Sequence, residues 1–127
     1  MEKILCVDDD VSLLLLYREE LSEEGYEVII AQNGKEALEK YDQESPQLVV
    51  LDIRMPNMDG LETLNALLGR NRQLPVILNT AYSAYRDNFM TWGAEAYVIK
   101  SSDLTQLKEK IREALAKRKE ARSPTFA

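Results

Sequence analysis

Three consecutive carboxylates, Asp8-Asp9-Asp10, follow the apolar run Ile4 to Val7, and another, Asp52, follows a second apolar run 44 residues after Asp8. Thr80 and Lys100 close two further runs, 28 residues beyond Asp52 and 20 beyond Thr80. Carboxylates gathered in one crevice repel one another unless a divalent cation neutralises them, and an all-oxygen ligand set favours Mg²⁺. A carboxylate, a hard cation, a hydroxyl and an ammonium are what phosphoryl transfer to an aspartate needs. They supply a nucleophilic oxygen, charge neutralisation and donors aimed at the phosphoryl oxygens, and the product is an aspartyl phosphate. Each residue alone has a plainer role: Asp10 as a helix cap, Thr80 as a strand end, Lys100 as a solvated charge. Their joint occurrence at the ends of alternating apolar runs is what argues for chemistry.

For these residues to meet, the runs that carry them must be neighbouring strands. Five short runs rich in β-branched residues read as buried parallel strands: Ile4 to Val7, Tyr26 to Ala31, Leu48 to Leu51, Val76 to Leu78 and Ala96 to Ile99. The segments between them read as helices. The first covers Val11 to Glu24 and is closed by Gly25 at its C′ position; the second covers Lys35 to Tyr41 after Asn33-Gly34; the third covers Gly60 to Leu68. A fourth spans Ser83 to Thr91 and stops at Gly93, and a fifth follows Ser101-Ser102-Asp103 with Leu104, Leu107, Ile111 and Leu115 on one face. Five βα units predict an α/β fold: a flavodoxin-like, doubly wound, five-stranded parallel sheet of order 2-1-3-4-5 with five helices. In that order strands one and three are neighbours, and ligands bind beyond their carboxyl ends, where Asp8 and Asp52 lie. At 127 residues the chain is read as one domain over residues 1–121 with a short tail over 122–127.

Composition narrows the function. Sixteen basic against twenty-two acidic residues give a net charge of −6, the wrong sign for a nucleic-acid binder that relies on phosphate contacts. Residues 1–60 hold fifteen acids and five bases, whereas residues 61–127 hold seven acids and eleven bases, so the acidic half should hold any cation site. The absence of histidine removes every mechanism built on an imidazole base, an imidazole ligand or a phosphohistidine on this chain. The single cysteine, Cys6, has no internal disulfide partner and reads as a buried strand residue in a reducing compartment. With neither a basic leader nor a membrane-length apolar run, a cytoplasmic protein with no membrane partner is expected.

The motifs, in this order, resemble response-regulator receiver domains of two-component systems over about residues 2 to 119. Ile4-Leu5-Cys6-Val7-Asp8-Asp9-Asp10 resembles the family's first strand and acidic pair, and Leu51-Asp52-Ile53-Arg54-Met55-Pro56-Asn57-Met58-Asp59-Gly60 resembles its phosphoacceptor loop. The resemblance implies that Asp52 is phosphorylated by a histidine kinase or phosphotransfer protein. It implies that Asp9 binds Mg²⁺ directly, that Asp8 helps through water, and that the Arg54 backbone carbonyl is a further ligand beside Asp52. It also implies that Thr80 and Lys100 contact the phosphoryl oxygens. In the implied switch Thr80 moves toward the phosphoryl group and Tyr97 swings inward behind it, altering an output face on the fourth helix, fifth strand and fifth helix. Tyr85, Trp92 and Tyr97 are the candidate partner surface for an unidentified output protein, and the family allows either a monomer or a phosphorylation-dependent homodimer.

Several residues depart from the family pattern. Ser101 follows Lys100 where the family usually has Pro. Arg54 and Tyr82 are bulky at positions flanking the phosphoryl group, where they are expected to shield it from water. Asn79 is polar at a strand end often filled by small or apolar residues, and nothing in the sequence explains it. The fourth helical segment carries Tyr82, Tyr85, Phe89 and Trp92 in a chain with nine aromatics, which suits either a core face or a partner surface. The basic run from Lys108 to Arg122 alternates with acids and reads as a solvated face. Two competing functions remain. Asp8-Asp9-Asp10-Val11 also fits the nucleophile motif of haloacid-dehalogenase-like phosphatases, with Asp8 as nucleophile, although the cap insertion of that family is missing. The other is a receiver-shaped module that binds partners without phosphorylation.

Overall fold

The computed structural model describes residues 1–53, 59–81, 83, 86–90 and 92–122. Five strands, β1 (Lys3–Val7), β2 (Glu27–Ala31), β3 (Leu48–Leu51), β4 (Val76–Thr80) and β5 (Ala96–Ile99), alternate with four α-helices. These are α1 (Val11–Glu23), α2 (Gly34–Glu44), α3 (Asp59–Arg70) and α4 (Thr105–Arg122). All strand pairs are parallel and the order is β2-β1-β3-β4-β5, the order expected from the sequence.

Strand side chains alternate between two cores, which is why the strands read as continuous apolar runs. Ile4, Cys6, Leu48, Val50, Ile77 and Val98 face α1 and α4 and pack with Leu14, Leu21, Leu107 and Ile111. Leu5, Val7, Val49, Leu51, Val76 and Leu78 face the opposite way and pack with Ala37, Leu64 and Leu67 of α2 and α3. Local signals set the helix ends. The Asp10 carboxylate accepts the Leu13 N–H at the start of α1. Gly25, at φ +97°, ends α1 with its N–H on the Ser22 carbonyl, while the Tyr26 N–H reaches back to Leu21.

One expected helix is not there. Of the Ser83 to Thr91 segment, the described residues form only a 3₁₀ turn over Arg86–Asn88, so they include four α-helices where five were expected. Asp87 and Asn88 favour turns over helix interiors, and no long apolar stripe offsets that preference. Gly93, at φ +88°, does stop the segment as read, with its N–H on Met90 and the Ala94 N–H on Phe89. No helix among the described residues is long and apolar enough to cross a membrane.

Candidate functional site

The adjacency of β1 and β3 puts Asp8 and Asp52 side by side, because the Val7–Leu51 register places the next residue of each strand at the same edge. The Asp52 N–H donates to the Val7 carbonyl at 3.1 Å. One carboxylate oxygen from each of Asp8, Asp9 and Asp52 lies within 4.8 Å of the others. Together with Asn33, Gly60 and Thr63 they line a crevice of about 120 Å³. Three clustered carboxylates with only oxygen donors suit a hard divalent cation, and Asp9, the exposed member, leaves the crevice open to solvent.

Asp10 is not in the cluster. It caps α1, and its own N–H donates to Asp8 Oδ1 at 2.9 Å, fixing the orientation of the Asp8 carboxylate. The plainer of its two expected roles is the one observed.

Lys100 follows β5 and extends back over the crevice. Its Nζ is 2.7 Å from Asp8 Oδ2 and 3.1 Å from Asp52 Oδ2, bridging two carboxylates whose side chains are only 3% and 7% exposed. Burial alone would lower the Lys100 pKa, but the hydrogen bonds and charges of Asp8 and Asp52 outweigh it and hold the ammonium above its ordinary range. Asp52 is pushed the other way. Burial raises its pKa, and the Lys100 charge and hydrogen bond, with a smaller influence from Thr80, only partly offset this. Thr80 is 1% exposed, and its hydroxyl donates to the Ile53 carbonyl at 2.9 Å, on the loop that leaves Asp52. The Lys100 N–H donates to the Thr80 carbonyl at 2.8 Å, which joins the ends of β4 and β5.

The fold thus brings Asp8, Asp9, Asp52, Thr80 and Lys100 together. Arg54, Tyr82 and Tyr85 lie outside the described residues. Tyr97, expected to swing inward and to form part of a partner surface, is already inward and 7% exposed. Its ring meets Phe89 at a centroid distance of 6.0 Å, and the Arg86 guanidinium sits 5.9 Å from its centre. Its place on the α2–α3 face of β5 buries it, so in this conformation it offers a partner almost no surface, whereas Trp92 is half-buried. Ser101 serves the turn into α4, where its hydroxyl oxygen accepts the Asp103 N–H at 3.1 Å. Cys6 is fully buried and its thiol is pushed up to about 12, chiefly by burial, as a structural strand residue should be.

Sequence reasoning missed Tyr17. The unexplained Asn79 donates its side-chain amide to the Tyr17 hydroxyl at 2.9 Å across the α1–β4 contact. The available signal was that a polar side chain in a buried strand demands a partner.

The family model described as response regulator receiver domain matches residues 4–112. The transcriptional regulatory protein ZraR of Klebsiella oxytoca is 41% identical over 123 residues, 95% of this chain. The alkaline phosphatase synthesis transcriptional regulatory protein PhoP of Bacillus subtilis (strain 168) is 33% identical over 126 residues, 98% of this chain. The chain spans 28% of that ZraR and 52% of that PhoP, about half the length of these relatives or less. Among solved structures, the response regulator TrrA of Thermotoga maritima in complex with Mg²⁺-BeF is 44% identical with a TM-score of 0.82, over 90% of this chain and 99% of that one. TrrA in complex with the histidine kinase ThkA is similar at a TM-score of 0.81, 44% identity, and coverage of 91% and 99%. With the family match covering most of the chain and the acidic crevice at the expected strand ends, this protein belongs to the response-regulator receiver domain family, the phosphoacceptor modules of two-component signalling.

Proposed function

We propose that Asp52 is the phosphoacceptor, that Asp8, Asp9, Asp52 and the Arg54 carbonyl hold Mg²⁺, and that phosphorylation alters binding to an output partner. The observation that carries this reading is the Lys100 ammonium bridging Asp8 and Asp52 beside the buried Thr80 hydroxyl. The phosphoryl donor is a histidine kinase or phosphotransfer protein, a reading supported by the TrrA–ThkA complex. When bound, Mg²⁺ supplies positive charge to the carboxylates and to the phosphoryl oxygens.

The chain's own residues do the rest. An Asp52 oxygen attacks phosphorus as the bond to the donor's imidazole nitrogen breaks, and that imidazole leaves with the electron pair and takes up a proton. Lys100 needs only a short movement from the Asp52 carboxylate to reach an oxygen of the group attached there. Thr80 turns its proton from the Ile53 carbonyl to another phosphoryl oxygen, coupling the β4 end to the chemical state of Asp52. The phosphatase reading is disfavoured: Asp8 is 4% exposed, with Oδ1 accepting from Asp10 and Oδ2 held by Lys100.

Incubation with Mg²⁺ and acetyl phosphate, followed by intact-mass measurement, tests the proposal. One phosphoryl group should be added to the wild type and none to Asp52→Asn. An adduct that survives in Asp52→Asn, or no adduct on the wild type, would rule the assignment out.

A further inference from the structure

Four polar side chains are buried among the described residues: Asp8, Thr63, Asn79 and Thr80. Three of them belong to the crevice or line it. Asn79 does not, because it points to the opposite sheet face, into the core shared by α1 and α4. There it meets the hydroxyl of Tyr17, which is 2% exposed and 62 residues away in sequence. Two apolar side chains of the same shapes would fill this space without desolvating an amide and a phenol, so burial alone does not account for the pair.

Its position in the chain does. Asn79 directly precedes Thr80 on β4 and pairs with Val98 on β5, and Val98 lies on the same face as Lys100, two residues on. Tyr17 sits on α1, which begins after the Asp8-Asp9-Asp10 turn. The charges of Lys100 and Asp8 both act on its phenol, though burial is the larger influence. One hydrogen bond therefore joins the segments that carry Asp8 and Asp9, Thr80, and through the β4–β5 ladder Lys100.

We propose that Tyr17 and Asn79 are positioning residues for phosphoryl transfer, their hydrogen bond clamping the end of β4 to α1 so that Thr80 and Lys100 are held in register with Asp52. This rests on the phosphoacceptor reading above. A cavity of about 300 Å³, lined by Asn79, Val98, Ser101, Leu104 and Thr105, opens beside the Asn79 member of the pair. If the phenol oxygen is removed, the Asn79 amide can turn toward that cavity and be satisfied by water. The strand end is then released from α1 while the core stays packed, which separates the bond's effect on geometry from its effect on stability.

Three variants test this: Tyr17→Phe, Asn79→Val and the double variant. Each is followed for phosphorylation rate at saturating Mg²⁺ across acetyl phosphate concentrations, and for melting temperature. Each single variant should lose about tenfold in the rate at saturating donor, with the half-saturating donor concentration unchanged. Asn79→Val strands the Tyr17 hydroxyl in the core and should lower the melting temperature, Tyr17→Phe should leave it near the wild-type value, and the double variant, which leaves no polar group unpaired, should recover it and still be about tenfold slow. Recovery of rate together with melting temperature would overturn the proposal, since a purely structural pair behaves that way. An inert wild type would overturn the phosphoacceptor reading and this inference with it; an active wild type matched by the double variant would overturn this inference alone.

Discussion

Asp52→Asn should stabilise the metal-free protein at neutral pH. The Asp52 side chain is 7% exposed and shares one ammonium with Asp8. At an effective dielectric of about 20, the 3.1 Å contact with Lys100 is worth about 5 kcal/mol of attraction. A like charge on Asp8 within 4.8 Å returns about 3 kcal/mol of it. What is left, about 2 kcal/mol, is less than the several kcal/mol that desolvating a carboxylate costs. The amide removes both penalties, and Lys100 keeps its 2.7 Å contact with Asp8. The expected gain is about 1–2 kcal/mol in urea unfolding with a chelator present, or roughly 3–8 °C in Tm. The pH dependence follows from burial raising the folded-state pKa of Asp52. The folded wild type binds that proton more tightly than the unfolded chain, so it loses stability as pH rises from the ordinary carboxylate value through the raised one. The advantage of the amide should be full above that window and vanish on acidification. Saturating Mg²⁺ should shrink or reverse it, because the ion binds the folded wild type more tightly. A variant no more stable than wild type at pH 7 without metal, or a gap that widens on acidification, would refute the reasoning.

Two further outcomes follow from burial and close packing. Cys6, fully buried with its thiol pushed up to about 12, should resist thiol reagents at pH 8 in the native protein and react at a rate that tracks unfolding as urea is added; rapid stoichiometric labelling without urea would contradict its placement. Gly60→Ala would set a Cβ 2.9 Å from the Ile53 Cα and 3.2 Å from the Asp52 carbonyl oxygen, forcing the start of α3 away from the Asp52–Ile53 backbone. It should cost about 1–3 kcal/mol in urea unfolding and slow acetyl phosphate labelling; a variant equal to wild type in both would show that this backbone yields freely.

Much of the fold was legible because both faces of the sheet are covered. Runs such as Leu48–Leu51 carry no polar position, and Gly25 and Asn33 mark helix ends by local backbone chemistry that acts within a few residues. The segment after β4 was not legible. Its place between two strands and the stop at Gly93 suggested a helix, but Phe89 is drawn onto Tyr97 from outside the segment, and the described residues around it settle into a 3₁₀ turn closed at Gly93.

By itself, the sequence determined the five strands and the set Asp8, Asp9, Asp52, Thr80 and Lys100 at or just beyond their carboxyl ends, since a strand's buried pattern is local; the 2-1-3-4-5 order rested on the alternation of strands with helices and on the family resemblance. Tertiary structure alone decided how those groups are used. It put the Lys100 ammonium between two carboxylates, turned Tyr97 inward under Arg86, and gave Asn79 its partner 62 residues away. The physical reason is the same in each case: local pattern sets which face a side chain leaves from, but its rotamer and charge state depend on groups that only the packed fold brings within hydrogen-bonding distance.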